Sequence, residues 1–336
     1  HDIYVPPARD VGRPARVGDK VVVELGQWES SHTTPEGVIT EVLGPPTAEG
    51  VDMLAILRQY DLPLKFPRNV LQEVKRFGSK VTSSDLTDRT DCRDHAVVTI
   101  DPEDAKDFDD AFFLKPTTEN RWKLWVHIAD VSHYVKPGSA LDKEALKRGN
   151  STYLVDRVIP MLPEALSNGL CSLKSGVDRL CLACEMTISG KGTVQRSRFV
   201  AAVMKSSARL TYQQVADYYQ NGVLNHHDDN VDIKDNLDDL QTLYQALRSA
   251  RVKRGAIDFE TTEYRFQFDR HGAVSGLIPH DRNDAHKLIE ECMILANVEA
   301  GRFLLSKKLP APYRVHASPP EGKLETLSQF LRGQGI

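Results

Sequence analysis

The sequence predicts an α+β protein: a small OB-type β-barrel followed by a mixed β-sheet domain surrounded by helices. Three observations carry this. Short β-rich runs, split by Ser/Thr/Pro/Gly loops, fill residues 19–60, as in small barrels. From residue 95 onward, longer strand-like runs alternate with amphipathic helical ones. Between two of those strands lies Asp101-Pro-Glu-Asp-Ala-Lys-Asp-Phe-Asp-Asp110, with six carboxylates in ten positions against one lysine.

In chain order, residues 1–18 are rich in Pro, Arg and Gly and read as an extended lead-in. A barrel domain over 19–76 takes its strands from Lys20–Leu25, Glu36–Gly44 and Met53–Tyr60, with a short helix at Phe66–Arg76. Such barrels bind single strands or serve as plain structure, and these residues leave both open. The polar stretch 77–94 reads as a linker, and 95–336 as the second domain. There, Ala96–Ile100 and Ala111–Leu114 are short buried strands that anchor the acidic turn at both ends. Arg121–Ala129 is the next strand. Ser139 caps a helix to Arg148, with Leu141, Ala145 and Leu146 on one face. Gly149–Val155 is a polar loop presenting Tyr153, and 180–188 pairs with 193–204 around Ser189–Gly192. Helices follow over 211–220 and 232–253, the second striped by Leu237, Leu240, Leu243, Tyr244 and Leu247. Ile257–Phe259 is expected to pair with Tyr264–Phe268. Asp284–Lys307 is a long helix with an apolar stripe of Ile289, Cys292, Met293, Ala296, Ala300 and Phe303, and a last helix lies within 319–336.

Composition bounds the function. Apolar residues are 40% and charged residues 27%, ordinary for a globular protein, and the net charge of −4 exerts no whole-protein pull on nucleic acid. The acidic bend carries that excess, so the remainder is near neutral. Five scattered cysteines point to a reducing cytoplasm. Cys181-Leu-Ala-Cys184 has the spacing of a metal or redox pair, but it lies in a strand-like run with no second pair. No run approaches the 18 apolar residues of a membrane span, and no leader peptide is visible. The chain starts at His1 rather than Met and stops soon after a helix, as a fragment would.

The bend has a physical problem to solve. Two unit charges 4 Å apart repel by about 4 kcal/mol at an effective dielectric near 20. Net stabilities are only about 5–15 kcal/mol, so a cation belongs there unless the turn is simply solvated. An EF-hand fails because its sixth position is Lys106 and its twelfth Phe112. A haloacid-type phosphatase fails because no strand precedes Asp107. A carboxylate site for Mg²⁺ or Mn²⁺, of the kind used in phosphoryl chemistry, remains. No P-loop and no nucleophilic Ser or Cys motif competes with it. Glu290 and Glu291 sit on or beside an apolar stripe, where a glutamate needs a partner, a reach to water, or a job. The pair His226-His227 lies between two helices and reads as a solvated loop.

The run Thr99–Ala111 resembles the signature of the RNase II / RNase R (RNB) family of exoribonucleases, closer to the ribonuclease R branch. Four further blocks agree in order: His127–Val135, Asn150–Leu154, Ile159–Leu173 and Asp284–Asn297. Residues 19–76 resemble the family's cold-shock domain. The resemblance implies processive 3′→5′ hydrolysis of single-stranded RNA to nucleoside 5′-monophosphates with Mg²⁺, no obligate protein partner, and cytoplasmic work. It implies that Asp101, Asp107 and Asp110 hold metal and that Asp109 completes the site by orienting the attacking water. It also implies that Tyr153 and Phe259 clamp the bases, and that Glu290 or Glu291 lies near the terminal ribose. The family's Ser-Pro-x-Arg segment has no counterpart here, so this piece is expected to bind metal but to be weak or inactive alone. The rival from another class is a non-catalytic RNA-binding module whose acids form only a structural metal site.

Overall fold

The computed structural model describes residues 2–6, 14–28, 34–117, 120–155, 157–225, 231–257, 262–270, 274–280 and 282–336. At the N-terminal end, β1 (Lys20–Leu25) and β2 (Gly37–Gly44) pair antiparallel, followed by α1 (Val51–Gln59) and α2 (Arg68–Arg76). The run Met53–Tyr60, expected as a barrel strand, is therefore mostly helix α1. Leu, Met, Ala, Arg and Gln dominate it and favour a helix, and only Ile56 is β-branched within it. Val51 and Leu57 bury one side, and Arg58 in the last turn pairs with Glu41 of β2 at 2.5 Å. Among the described residues the barrel is thus represented by one strand pair and a Tyr4–Glu36 bridge.

The stretch expected as a linker contributes a 3-10 turn at Ser83–Leu86 and an edge strand, β3 (Thr90–Asp91). Then come β4 (Val98–Asp101), β5 (Asp110–Thr117), β6 (Arg121–Ala129), α3 (Val131–Tyr134) and α4 (Ala140–Arg148). Two short strands, β7 (Thr152–Tyr153) and β8 (Val158–Ile159), pair with each other. After them lie β9 (Asp178–Ser189), β10 (Val194–Lys205), β11 (Ala208–Thr211), α5 (Tyr212–Asn221) and α6 (Val231–Lys253). The chain finishes with β12 (Glu263–Phe268), β13 (Val274–His280), α7 (Asp284–Ser306) and α8 (Glu321–Gly333). Strand β12 pairs with β13; the expected pairing with Ile257–Phe259 falls on residues 258–260, which lie outside the described residues, as do His226 and His227. Among the described residues no helix is long and apolar enough to cross a membrane.

Two compact units result, neither continuous in sequence: 1–80 with 131–170 and 265–278, and 81–130 with 171–264 and 279–336. In the first, Arg148 is a structural hub. Its guanidinium donates to the carbonyls of Pro63, Lys65 and Pro160 and to Glu144 at 2.8–3.1 Å, and it lies 3.7 Å from the centre of the Phe66 ring. Ser139 caps α4 as expected, its hydroxyl accepting from the Asp142 amide at 3.0 Å. The expected apolar face is only partly right. Leu141 is fully buried, but Leu146 is 82% exposed, because Glu144 turns inward to meet Arg148.

The second unit is built on a seven-stranded mixed sheet ordered β11-β4-β5-β6-β9-β10-β3. One face presents Ile100, Phe112, Leu114, Leu124, Val126 and Met186 to the leucine stripe of α6 and to Leu288 and Cys292 of α7. Asn236 fastens α6 where the short β4 begins, accepting from the Leu114 amide at 2.9 Å and donating to the Ala96 carbonyl at 3.0 Å. In the β9–β10 turn, Gly192 has φ +73°, and a Cβ there would lie 2.8 Å from the Ala246 carbonyl of α6. All five cysteines are buried and free. Cys181 and Cys184 stand three apart on β9 and so point to opposite faces, which rules out a shared metal or disulfide.

Candidate active site

Strand β4 ends on Asp101 and β5 begins on Asp110, so both acids sit at one end of the sheet, with Pro102–Asp109 crossing between them. The crossing is held from outside. Phe108 is buried, its amide donates to Ser172 Oγ at 3.0 Å, and its carbonyl accepts from the Leu173 amide at 2.8 Å. The Ser172 hydroxyl in turn donates to the Lys106 carbonyl at 2.9 Å. Arg179 Nε donates to the Ser172 carbonyl at 2.8 Å. On the other flank, Arg209 Nη2 donates to the carbonyls of Pro102 and Glu103 at 2.7 and 2.6 Å, with its guanidinium 5.6 Å from the Phe108 ring centre. Asp109 is tied to β6 through its carbonyl, which accepts from the Ala129 amide at 3.0 Å. An ordinary solvated turn would not need so many side chains on its backbone.

The electrostatics follow from this placement. Asp101 has a carboxyl oxygen, Oδ2, that is buried with no hydrogen-bond partner. Burial, then the Asp110 charge, with smaller contributions from Asp109 and Asp107, push its pKa up to about 7 against the opposing pull of Arg209. Asp110 is pushed up to about 6 by burial and then by Asp109. Asp109 is exposed, yet desolvation and then the Asp107 charge raise it too. The four acids therefore act on one another, whereas Glu103 and Asp104 lie exposed on the outer turn. Among the described residues no three His, Cys, Asp or Glu side chains already form a finished metal cage. A buried acceptor without a donor, surrounded by like charge, nevertheless fits a hard divalent cation with oxygen ligands.

Glu291 is buried and accepts from Arg251 Nη1 at 2.8 Å, which supplies the partner that its position demands. Glu290 is half-exposed and shared between Arg251 at 3.5 Å and Arg282. Helix α7 lies near the bend: its Cys292 thiol is raised by burial, then by the charges of Glu291 and Asp110. Tyr153 is 68% exposed on β7, in the other compact unit, and Phe259 lies outside the described residues.

Three residues went unnoticed in the sequence. Tyr212 opens α5 where β11 runs beside Asp101, and burial followed by the Asp101 and Asp110 charges pushes its phenol up to about 12. Its ring stacks on His286 of α7 at 3.8 Å. Ser172 and Arg209 are the others. Ser172 stands in a block that matches the family, but nothing in its spacing announces a contact 66 positions away.

A profile of the RNB domain matches residues 89–336, and a profile of the cold shock domain matches residues 1–67. The Ribonuclease R of Vibrio parahaemolyticus is 44% identical over 335 residues, covering 100% of this chain and 40% of that protein. The chain thus spans less than half the length of such curated relatives. The structure of Mycoplasma genitalium RNase R in complex with ribose methylated single-stranded RNA superposes with a TM-score of 0.90 at 28% identity, over 99% of this chain and 51% of that one. Yeast Ssd1, described as a pseudonuclease, shares the fold at a TM-score of 0.74 and 16% identity, over 99% of this chain and 42% of that one.

Proposed function

This chain belongs to the RNB family, and from that premise we propose that the whole protein is a metal-dependent hydrolytic exoribonuclease. It removes nucleoside 5′-monophosphates processively from the 3′ end of single-stranded RNA, in the cytoplasm and without an obligate protein partner. One observation supports the reading above the rest: the buried, unpartnered Asp101 oxygen faces other carboxylates that raise its pKa.

Asp101, Asp107 and Asp110 would hold Mg²⁺, or Mn²⁺ in its place. When bound, the ion supplies a Lewis acid for the phosphodiester and a water of lowered pKa. Asp109, the most open of the four acids, would orient the attacking water by accepting its hydrogen bond. Ser172, Arg179 and Arg209 keep the bend in register, so that the acids need not reorganise when substrate arrives. Both glutamates meet Arg251, but Glu290 is half-exposed where Glu291 is buried, so Glu290 is the acid better placed to accept a ribose 2′-hydroxyl, a contact that DNA lacks. Tyr153 and Phe259 would stack on bases, worth about 1–3 kcal/mol each and indifferent to sequence.

The test is product analysis with the full-length protein, Mg²⁺ and uniformly labelled RNA bearing either a free or a blocked 3′ end. The reading predicts mononucleotides from the free end and an intact blocked strand. Internal fragments from the blocked strand would overturn it. So would binding without cleavage of either, the behaviour of an RNA-binding module.

A further inference from the structure

A cleft of about 270 Å³ opens between α5, α6 and the first turn of α7, all within the second unit. Its walls are of two kinds. Tyr244 donates its hydroxyl to Asp284 Oδ1 at 3.2 Å, and Tyr219 donates to the Leu237 carbonyl at 2.9 Å, so both are committed to joining the helices. By contrast, Gln220, Gln241, Gln245 and Arg248 make no side-chain hydrogen bond or ion pair among the described residues. Gln241, Gln245 and Arg248 stand at i, i+4 and i+7 and form one face of α6, beside the leucine stripe that faces the core.

The chemistry of these groups narrows the ligand. A carboxamide offers a donor and an acceptor side by side, the pattern that nucleobases carry on their edges. A guanidinium is the side chain best matched to a phosphate. The second oxygen of Asp284 accepts from an amino or hydroxyl group and repels a phosphate, which leaves the phosphate for the Arg248 end. The volume falls just below the roughly 300 Å³ at which drug-sized pockets begin, enough for one small ligand and too little for a strand. The cleft is also coupled to the acids. Asn283, in its wall, donates to the Tyr212 carbonyl at 3.4 Å, and Tyr212 stacks on His286 beside Asp101 and Asp110.

We propose that this cleft is a second nucleotide site, taking one nucleoside 5′-monophosphate with its base on Gln241 and Gln245 and its phosphate on Arg248. The catalytic reading enters only as a source of that ligand.

The experiment uses the full-length protein in EDTA, so that the acidic bend holds no cation. AMP, adenosine and ribose 5-phosphate are titrated calorimetrically, and 8-azidoadenosine 5′-monophosphate is cross-linked and mapped by mass spectrometry. AMP should saturate one site, with label on residues 216–220 or 241–248. Arg248→Ala should weaken AMP and ribose 5-phosphate about ten-fold or more and spare adenosine, whereas Gln241→Ala with Gln245→Ala should weaken AMP and adenosine. Circular dichroism and thermal melting of each variant should match wild type, since these side chains hold nothing in the fold. No saturable binding, affinities indifferent to these substitutions, or label confined to residues 101–110 and 286–291 would overturn the site. The last of these results leaves the catalytic reading standing. A labelled cleft in a protein whose full-length form leaves RNA intact would sink the catalytic reading alone.

Discussion

Two sets of acids share the second unit, one buried and one gathered on the bend, and their surroundings differ. Asp130 meets Arg89 at 2.6 Å, Glu291 meets Arg251 at 2.8 Å, and Glu185 lies between Arg198 at 2.5 Å and Lys123 at 3.3 Å. Although burial alone would raise Glu185, Arg198 and then Lys123 hold its pKa below the usual carboxylate range. Among the described residues, no cation pairs with the carboxylates of Asp101, Asp109 or Asp110. Arg209, whose charge reaches Asp101, donates its hydrogen bonds to the backbone carbonyls of Pro102 and Glu103. Among the described residues, then, Asp130, Glu185 and Glu291 are each met by an arginine, whereas Asp101 and Asp110 keep raised pKa values with no paired cation.

That contrast is open to attack from the catalytic side first. In the full-length protein, Asp109→Asn should abolish mononucleotide release, by about 10³-fold or more in single-turnover assays, while RNA affinity by filter binding stays within about two-fold. Next comes the paired set. Arg89→Ala removes the guanidinium that meets the buried Asp130 at 2.6 Å, and should cost about 3–5 kcal/mol in urea unfolding.

A third test uses pH. Asp101 and Asp110, pushed up to about 7 and about 6, bind protons in the native state that the unfolded chain has already released. Their contribution is thus fully present below about pH 4 and is lost as pH rises through 6 and 7. His127 works against this in acid: it is fully buried with a pKa lowered to about 3 by burial and then by His95, so its contribution fades as pH falls below about 6.5. The difference between wild type and Asp101→Asn isolates the bend. In EDTA the variant should be more stable by on the order of 2 kcal/mol at pH 8, with the gap closing near pH 4. The smallest effect belongs to the scaffold. Ser172→Ala removes both bonds to the bend and should cost about 1–2 kcal/mol in the same unfolding assay.

Local signals made much of this legible in the sequence. The acids of the bend, the Ser139 cap, the stripe of α6 and the length of α7 are written in spacings of a few residues. What stayed hidden depends on partners far along the chain. Met53–Tyr60 is a short apolar run, and periodicity alone does not tell a strand from a helix there. Leu146 lost its place in the core because Arg148 drew Glu144 inward from one turn away. Arg209 and Ser172 reach the bend across more than sixty residues, and Tyr212 meets it only because β11 runs parallel to β4.

On the proposed function, Asp101, Asp109 and Asp110 meet no arginine among the described residues because the bend receives a divalent cation. Titration of the chain with Mn²⁺, followed by electron paramagnetic resonance, tests it most directly. Saturable binding that Mg²⁺ displaces, weakened about ten-fold or more by Asp101→Asn and unchanged by Glu185→Gln, is the predicted result. Mn²⁺ affinity that is indifferent to Asp101→Asn would contradict it.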